Sequence, residues 1–352
     1  MSSIVPSYSY TYIKLAFLRS LIIDDITLQD FNNAKNVNKV LEIIAPYYPD
    51  LKVKVKNIEN IELALYHNYI KMVGKIILYS PPNMRVFLKN YLLKFEIINI
   101  KQIILASILG MDLKSKRQKV NFQVEEYLDN TDFIEELLKI TSLEEFQLYF
   151  NKTSYKIPIR EGISYFKNYK EIFVLEAFLD KFYYENMIRQ LKILNTKEKK
   201  IITDFVKYKT ELYNINIIYR GLKNKIEKEL LTQFIIDYYL FLDKKKIDYL
   251  LSIEDPDVLV SLLENFIKNV RYIKRFYKNI VIDHEHLIHS IEKIYLKFYF
   301  KKLKIQMDDI DLITIFRILE LIIKKENEIR FEIIPKTIEI INKKFEGLKL
   351  LN

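Results

Sequence analysis

The sequence predicts an all-α fold, and three observations carry that reading. Glycine and proline are scarce, 5 and 8 in 352 residues, whereas sandwiches and barrels need turn residues every ~8–12 positions. Apolar residues recur at helical spacing, as in Ile97, Ile100, Ile104 and Ile108, which fall on one stripe of a helix. Helix-start signals punctuate the chain at Asn36, Ser142 and Asp255. Half the residues are apolar and 14% are aromatic, enough to bury a large core and to exclude bulk disorder.

Taken in chain order, each start signal has its own chemistry. Asn36 opens a short apolar segment as an N-cap. Ser142 precedes Leu143-Glu144-Glu145 and so has a glutamate three residues on, the capping-box spacing. Asp255 stands directly before Pro256, an N-cap followed by a first-turn proline. Later, Ile273, Phe276, Tyr277 and Ile280 repeat the helical apolar pattern. Gly110 and Gly221 each follow a Glu-x-x-Asn helix and read as C-caps.

Independent landmarks share one period. Lys94-x-Glu96-x-x-Asn99 recurs as Lys209-x-Glu211-x-x-Asn214, and the glutamates are 115 residues apart. A third glutamate, Glu328, lies 117 residues further on, with Arg330 and then Phe331 where asparagine would stand. Upstream, Tyr69, Tyr183 and Tyr295 each follow an apolar residue by four positions and are spaced 114 and 112 apart. The chain therefore reads as three copies of one helical lobe, residues 1–115, 116–225 and 226–352. That period is far longer than the roughly 20–50 residues of common solenoid repeats. No Pro/Gly/Ser-rich linker separates the copies, so one continuous body is expected.

Glu96 and Asn99 share a helix face, as do Glu211 and Asn214. Asparagine is a poor helix-interior residue, and a buried amide without partners costs a few kcal/mol. A polar pair repeated among isoleucines implies repeated partners, either backbone and side-chain groups that fix how the helix docks or a contact site for another protein.

These residues carry a family resemblance. The opening SYSYTYIKLAFLRSLI, the central EAFLDKFYYENM followed by TELYNINIIYRG, and the closing KKENEIRFEII together resemble the central-stalk C subunit of archaeal A-type ATP synthases. Its eukaryotic counterpart is the d subunit of the vacuolar ATPase. The resemblance covers essentially the whole chain and keeps the order and spacing of all three units. It implies a funnel-shaped, all-helical, non-catalytic body on the cytoplasmic side of a membrane proteolipid ring. The open end of the funnel would receive the rotor shaft made by the D and F subunits, coupling ring rotation to ATP synthesis or hydrolysis. Carried over position by position, Glu96, Asn99, Glu211, Asn214, Arg220, Glu328 and Arg330 occupy the family's repeated signature. Phe331 departs from it, since the family often has asparagine there.

Chemistry of other kinds finds little support. There is no cysteine, which excludes disulfides, thiol nucleophiles and thiolate metal sites. The five glycines never cluster, so no phosphate-cradling loop is expected and no cofactor is called for. The longest uncharged apolar run, Ile103 to Met111, is too short to span a bilayer. No secretory leader is visible, so a soluble, cytoplasmic protein is expected, and the resemblance implies a peripheral place at the cytoplasmic face of the cell membrane. Asp283, His284, Glu285, His286 and His289 form one metal-like cluster, but Asp283 reads better as an N-cap in a polar first turn.

The net charge is +10, with lysines spread along the whole length. Arg271, Lys274, Arg275 and Lys278 fall on one basic helical stripe. It reads as a solvated face, as a contact for anionic headgroups or a partner, or as a phosphate track. A basic helical nucleic-acid scaffold is therefore the alternative to the stalk protein, although no nucleic-acid fold signature accompanies the stripe and no nucleic acid is expected.

Overall fold

In the computed structural model the described residues are 6–53, 56–270, 273–276, 282, 287–304 and 309–349. Among them the chain forms helices and no strands. The first six are α1 (Ser9–Arg19), α2 (Asp25–Asn32), α3 (Val37–Ile44), α4 (Ile58–Tyr79), α5 (Pro82–Ile108) and α6 (Leu113–Gln118). The next six are α7 (Phe122–Leu128), α8 (Thr131–Lys139), α9 (Leu143–Phe150), α10 (Lys156–Tyr169), α11 (Ile172–Gln190) and α12 (Thr196–Lys223). The last are α13 (Lys228–Phe234), α14 (Lys244–Leu250), α15 (Pro256–Asn269), α16 (Leu287–Lys304), α17 (Ile310–Asn327) and α18 (Ile334–Lys349). A π-helical stretch, Glu328–Ile333, joins α17 to α18.

Local chemistry sets the boundaries as the sequence suggests. The Asn36 side chain accepts the Lys39 amide at 2.9 Å, and Asp255 accepts the Asp257 amide at 2.8 Å with Pro256 opening α15. Ser142 and Glu145 form a complete capping box. At the end of α5, Gly110 takes φ +67°, and the following amide of Met111 returns to the Ala106 carbonyl at 2.9 Å. This left-handed turn satisfies helix-end carbonyls that would otherwise lack donors.

Two expectations are corrected. Gly221 does not cap α12 but lies buried inside it. A Cβ at that position would meet Leu231 Cδ2 at 2.2 Å, so glycine is there to admit α13, and Lys225, at φ 54°, makes the left-handed turn instead. The apolar pattern from Ile273 onward does not extend as an α-helix through its described part. Val270 leaves helical geometry at ψ 110°, and Lys274–Phe276 forms a single 3-10 turn. Tyr277 and Ile280 lie outside the described residues.

By its contacts the chain divides into two compact units. The first gathers both ends of the chain, Met1–Phe95 and Asp308–Asn352, with Lys119–Thr131. Its core is α4 and α17, against which α1 packs with Thr11, Leu15 and Leu18 buried and Tyr8 buried at its N-cap. The second unit holds Glu96–Gln118 and Asp132–Met307. There α10 and α11 form a tight helical hairpin, turned at Lys170 with φ 60°. The long α12 packs against α11, α13, α15 and α16 and buries residues around most of its circumference between Ile201 and Gly221.

Candidate functional site

Glu96 and Asn99 on α5 and Glu211 and Asn214 on α12 point inward from two long helices, whereas Glu328 opens the π-helical stretch. In the second unit, Glu96 and Asn99 on α5 are each 2% exposed. The Tyr155 hydroxyl donates to Glu96 Oε1 at 2.5 Å, and its ring packs among Phe133, Phe150 and Phe182. One and a half turns further along α5, Lys101 Nζ meets the Asp180 carboxylate of α11 at 2.6 Å.

Glu211 on α12 is completely buried and accepts four donors. The Tyr295 hydroxyl reaches Oε1 at 2.5 Å. The successive amides of Leu240, Phe241 and Leu242 converge on Oε2 at 2.7, 2.8 and 3.0 Å. Burial pushes the Glu211 carboxyl up from its ordinary range, against the lowering pull of these donors. One turn on, Asn214 binds the backbone of Ile236 in both directions. Its Nδ2 donates to the carbonyl at 2.9 Å, and its Oδ1 accepts the amide at 3.0 Å. The segment between α13 and α14 has no regular structure to pair its buried amides. The Glu-Asn pair of α12 supplies the missing partners, as a complete account of backbone polar groups requires.

At Glu328 the same problem is solved differently. Glu328, at the start of the π-helical stretch, accepts the Ile23 amide at 2.9 Å and the Tyr48 hydroxyl at 3.4 Å. Lys325 Nζ pairs with it at 2.9 Å, donates to the Leu21 carbonyl at 2.5 Å and lies 3.5 Å from the centre of the Tyr48 ring. Burial raises the Glu328 carboxyl and lowers the Lys325 ammonium to about 8. Phe331, in the asparagine's register, is half-buried beneath the Arg330 guanidinium, 4.6 Å from its ring centre. A lysine thus does for the carbonyl of Leu21 what Asn214 does for that of Ile236.

A second polar cluster belongs to the first unit. Tyr69 and Tyr91 share a hydroxyl–hydroxyl bond of 2.8 Å, and Tyr91 donates to Glu326 at 2.7 Å. Lys94 Nζ binds both Tyr91 and Glu326 at 2.8 Å. In the second unit Lys209, which stands in the register of Lys94, binds the buried Glu292 at 2.6 Å. The lysine two residues ahead of each of these signature glutamates therefore answers a buried carboxylate.

Arg220 is more open than these groups. It binds Glu176 at 2.9 Å and covers the Phe173 ring at 4.8 Å. Of the basic stripe, Lys274 and Arg275 occupy the exposed 3-10 turn, with Arg275 stacked 4.9 Å from the Phe276 ring, while Arg271 and Lys278 lie outside the described residues. Asp283, His284, Glu285 and His286 also lie outside them, and among the described residues no three His, Cys, Asp or Glu side chains gather as metal ligands would. A groove of about 890 Å³ is lined by segments 32–38, 56–58 and 336–343 and contains none of the signature residues. What the sites offer is sequestered hydrogen bonding, not a reactive group open to a substrate.

A family model described as "ATP synthase (C/AC39) subunit" matches residues 14–331, which takes in every signature position from Glu96 to Arg330. The chain belongs to this ATP synthase family. It is similar to the A-type ATP synthase C subunit of Pyrococcus furiosus, 22% identical over 92% of this chain and 84% of that one. It is also similar to the C subunits of Methanocaldococcus jannaschii, 23% identical over 65% of this chain, and Methanosphaera stadtmanae, 21% identical over 64%. Of those two relatives the chain spans 57% and 55% of the length. Membership makes the chain a non-catalytic component of a rotary ATPase. Among the described residues no helix is long and apolar enough to cross a membrane.

The sequence singles out Glu96, Glu211, Glu328 and Tyr295, but not the other groups that answer the three glutamates. Tyr48 and Tyr155 are spaced 107 residues apart, each shortly after a capped helix at Asn36 or Ser142. That shared position marks the two tyrosines as comparable, and only the fold pairs them with Glu328 and Glu96. The backbone donors at Ile23 and Leu240–Leu242 carry no such mark, because any residue type except proline supplies an amide.

Proposed function

We propose that the chain is built of three lobes, residues 1–115, 116–225 and 226–352, and serves as the central-stalk socket of an A/V-type rotary ATPase. It would couple a membrane proteolipid ring to the shaft of the D and F subunits, peripheral to the cytoplasmic face of the membrane. The family match over residues 14–331 carries this reading. The burial of the signature groups supports it, because a coupling element transmits torque only if its helices keep their register under load. Glu96, Glu211 and Glu328 each tie a long helix to a separate segment through buried hydrogen bonds. Such bonds are expensive to break, since each leaves a polar group unpaired away from water.

The test is co-purification. A tagged chain expressed in its native host is expected to bring down the proteolipid ring and the ATPase head, and the isolated chain to form a stable complex with a D–F shaft. Recovery without either partner would overturn the reading.

A further inference from the structure

The outer face of α1 is unlike the other helix faces of the first unit. Tyr10, Ile13 and Phe17 fall at i, i+3 and i+7 on one stripe and are 58%, 61% and 73% exposed. The opposite stripe, Thr11, Leu15 and Leu18, is buried against the unit, so α1 is held in place by one face while presenting apolar side chains on the other. Scattered exposed hydrophobes are ordinary, but three large ones aligned on one short helix mark an interaction surface.

Charge narrows the occupant. No acidic residue occurs in α1, Lys14 borders the stripe, and Arg19 ends the helix. Beside Phe17 a notch of about 400 Å³ opens between α1 and α4, lined by Lys14, Phe17, Leu18, Leu21, Pro49, Lys75 and Tyr79. Its two charged groups are both ammonium, and no carboxylate lines it. Asp50, next to Pro49, is engaged by Lys71 at 3.1 Å. Lys14 Nζ is held 5.4 and 5.7 Å from the ring centres of Tyr10 and Tyr79, at the boundary between the apolar stripe and the notch. An apolar helix face bordered by aromatics and lysines, free of acid, is the composition of a helix lying in a membrane interface. The lysines suit anionic headgroups and the stripe suits the headgroup–acyl boundary.

We propose that the outer face of α1, with the Lys14–Lys75 notch, is a docking surface for an anionic phospholipid bilayer. Phe17 and Ile13 enter the interface, and a headgroup phosphate sits in the notch between the two ammonium groups. This gives the peripheral position proposed above a physical contact of its own, independent of protein partners.

Sedimentation of the full-length chain with vesicles tests it. The protein is expected to pellet with phosphatidylcholine vesicles containing an equal share of phosphatidylglycerol, to release as salt is raised, and to ignore pure phosphatidylcholine. Lys14→Gln with Lys75→Gln should weaken binding about thirtyfold, from the usual contribution of two basic residues near an anionic surface. Ile13→Ser with Phe17→Ser should weaken it about tenfold or more. These side chains are exposed or on the rim, so an unchanged circular-dichroism melt shows that the fold is kept. No binding by the wild type, or wild-type binding by both double variants, overturns the proposal. So does a variant that retains vesicles but loses the D–F shaft, which would assign the stripe to a protein. Failure of the wild type to bind the shaft at all is read separately and bears on the socket, not on this surface.

Discussion

Lys325 holds a positive charge where water cannot reach it, 2% exposed, with Glu328 and the Tyr48 ring as its surroundings. Burial lowers its pKa from 10.5 to about 8. Between those values the unfolded chain binds a proton that the folded chain has released, so the lysine's burial penalty is fully present below pH 8 and is relieved as pH rises to 10.5. The stability of the wild type relative to Lys325→Met, read from urea unfolding, should therefore grow across that window by up to ~3 kcal/mol. At pH 7 the same substitution strands a buried carboxylate and should destabilise by about 3–5 kcal/mol. Asn214 makes a neutral counterpart. Asn214→Leu leaves the amide of buried Ile236 without its acceptor and its carbonyl with the Tyr238 amide alone and should cost about 1–3 kcal/mol, with a larger effect on the melt than on affinity for the D–F shaft. A normal melt with lost shaft affinity would move Asn214 from holding the fold to holding the partner.

The helices themselves show which features a sequence records. Caps are local, so Asn36, Ser142 and Asp255 could be read from a few residues, and Ser142→Ala should cost about 1 kcal/mol. The inward stripe on α5 was legible for the same reason, because helical spacing is a short-range pattern. Gly221 was not, because the same residue type serves a left-handed turn or a close approach, and only the position of Leu231 decides between them. Gly221→Ala should destabilise by about 1–3 kcal/mol through overpacking. Leu231→Ala in the same chain should recover part of that loss, whereas additive effects in the double-mutant cycle would place the strain elsewhere. The π-helical stretch at Glu328–Ile333 was also hidden. Nothing in Glu-Ile-Arg-Phe-Glu-Ile forbids an ordinary α-turn, and the widened turn coincides with the one copy whose asparagine is replaced. The partners at Leu21, Ile23 and Leu240–Leu242 were illegible in principle, since they act through backbone atoms.

At the scale of the chain, the unit that contains the N-terminus also contains the C-terminal helices. The last copy of the signature is completed by residues more than 300 positions earlier, where Glu328 takes the Ile23 amide and Lys325 the Leu21 carbonyl. Contacts so distant in sequence close a long loop, and the entropy of that closure must be met before the contacts form. The C-terminal helices of the first unit should therefore depend on α1 and the turn after it. Without them Glu328 and Lys325 lose their backbone partners, and the face of α17 that α1 covers is opened to water. A chain beginning at Asp24 is expected to lose hydrogen-exchange protection across Ile310–Asn327, whereas α10, α11 and α12, which pack among themselves in the second unit, should keep theirs. The full-length chain with Glu328→Gln, which retains an acceptor for the Ile23 amide but removes the charge facing Lys325, should fall between the truncated chain and the wild type. If protection of α17 survives removal of the first 23 residues, the C-terminal helices stand by themselves and the N-terminal segment is an accessory to them.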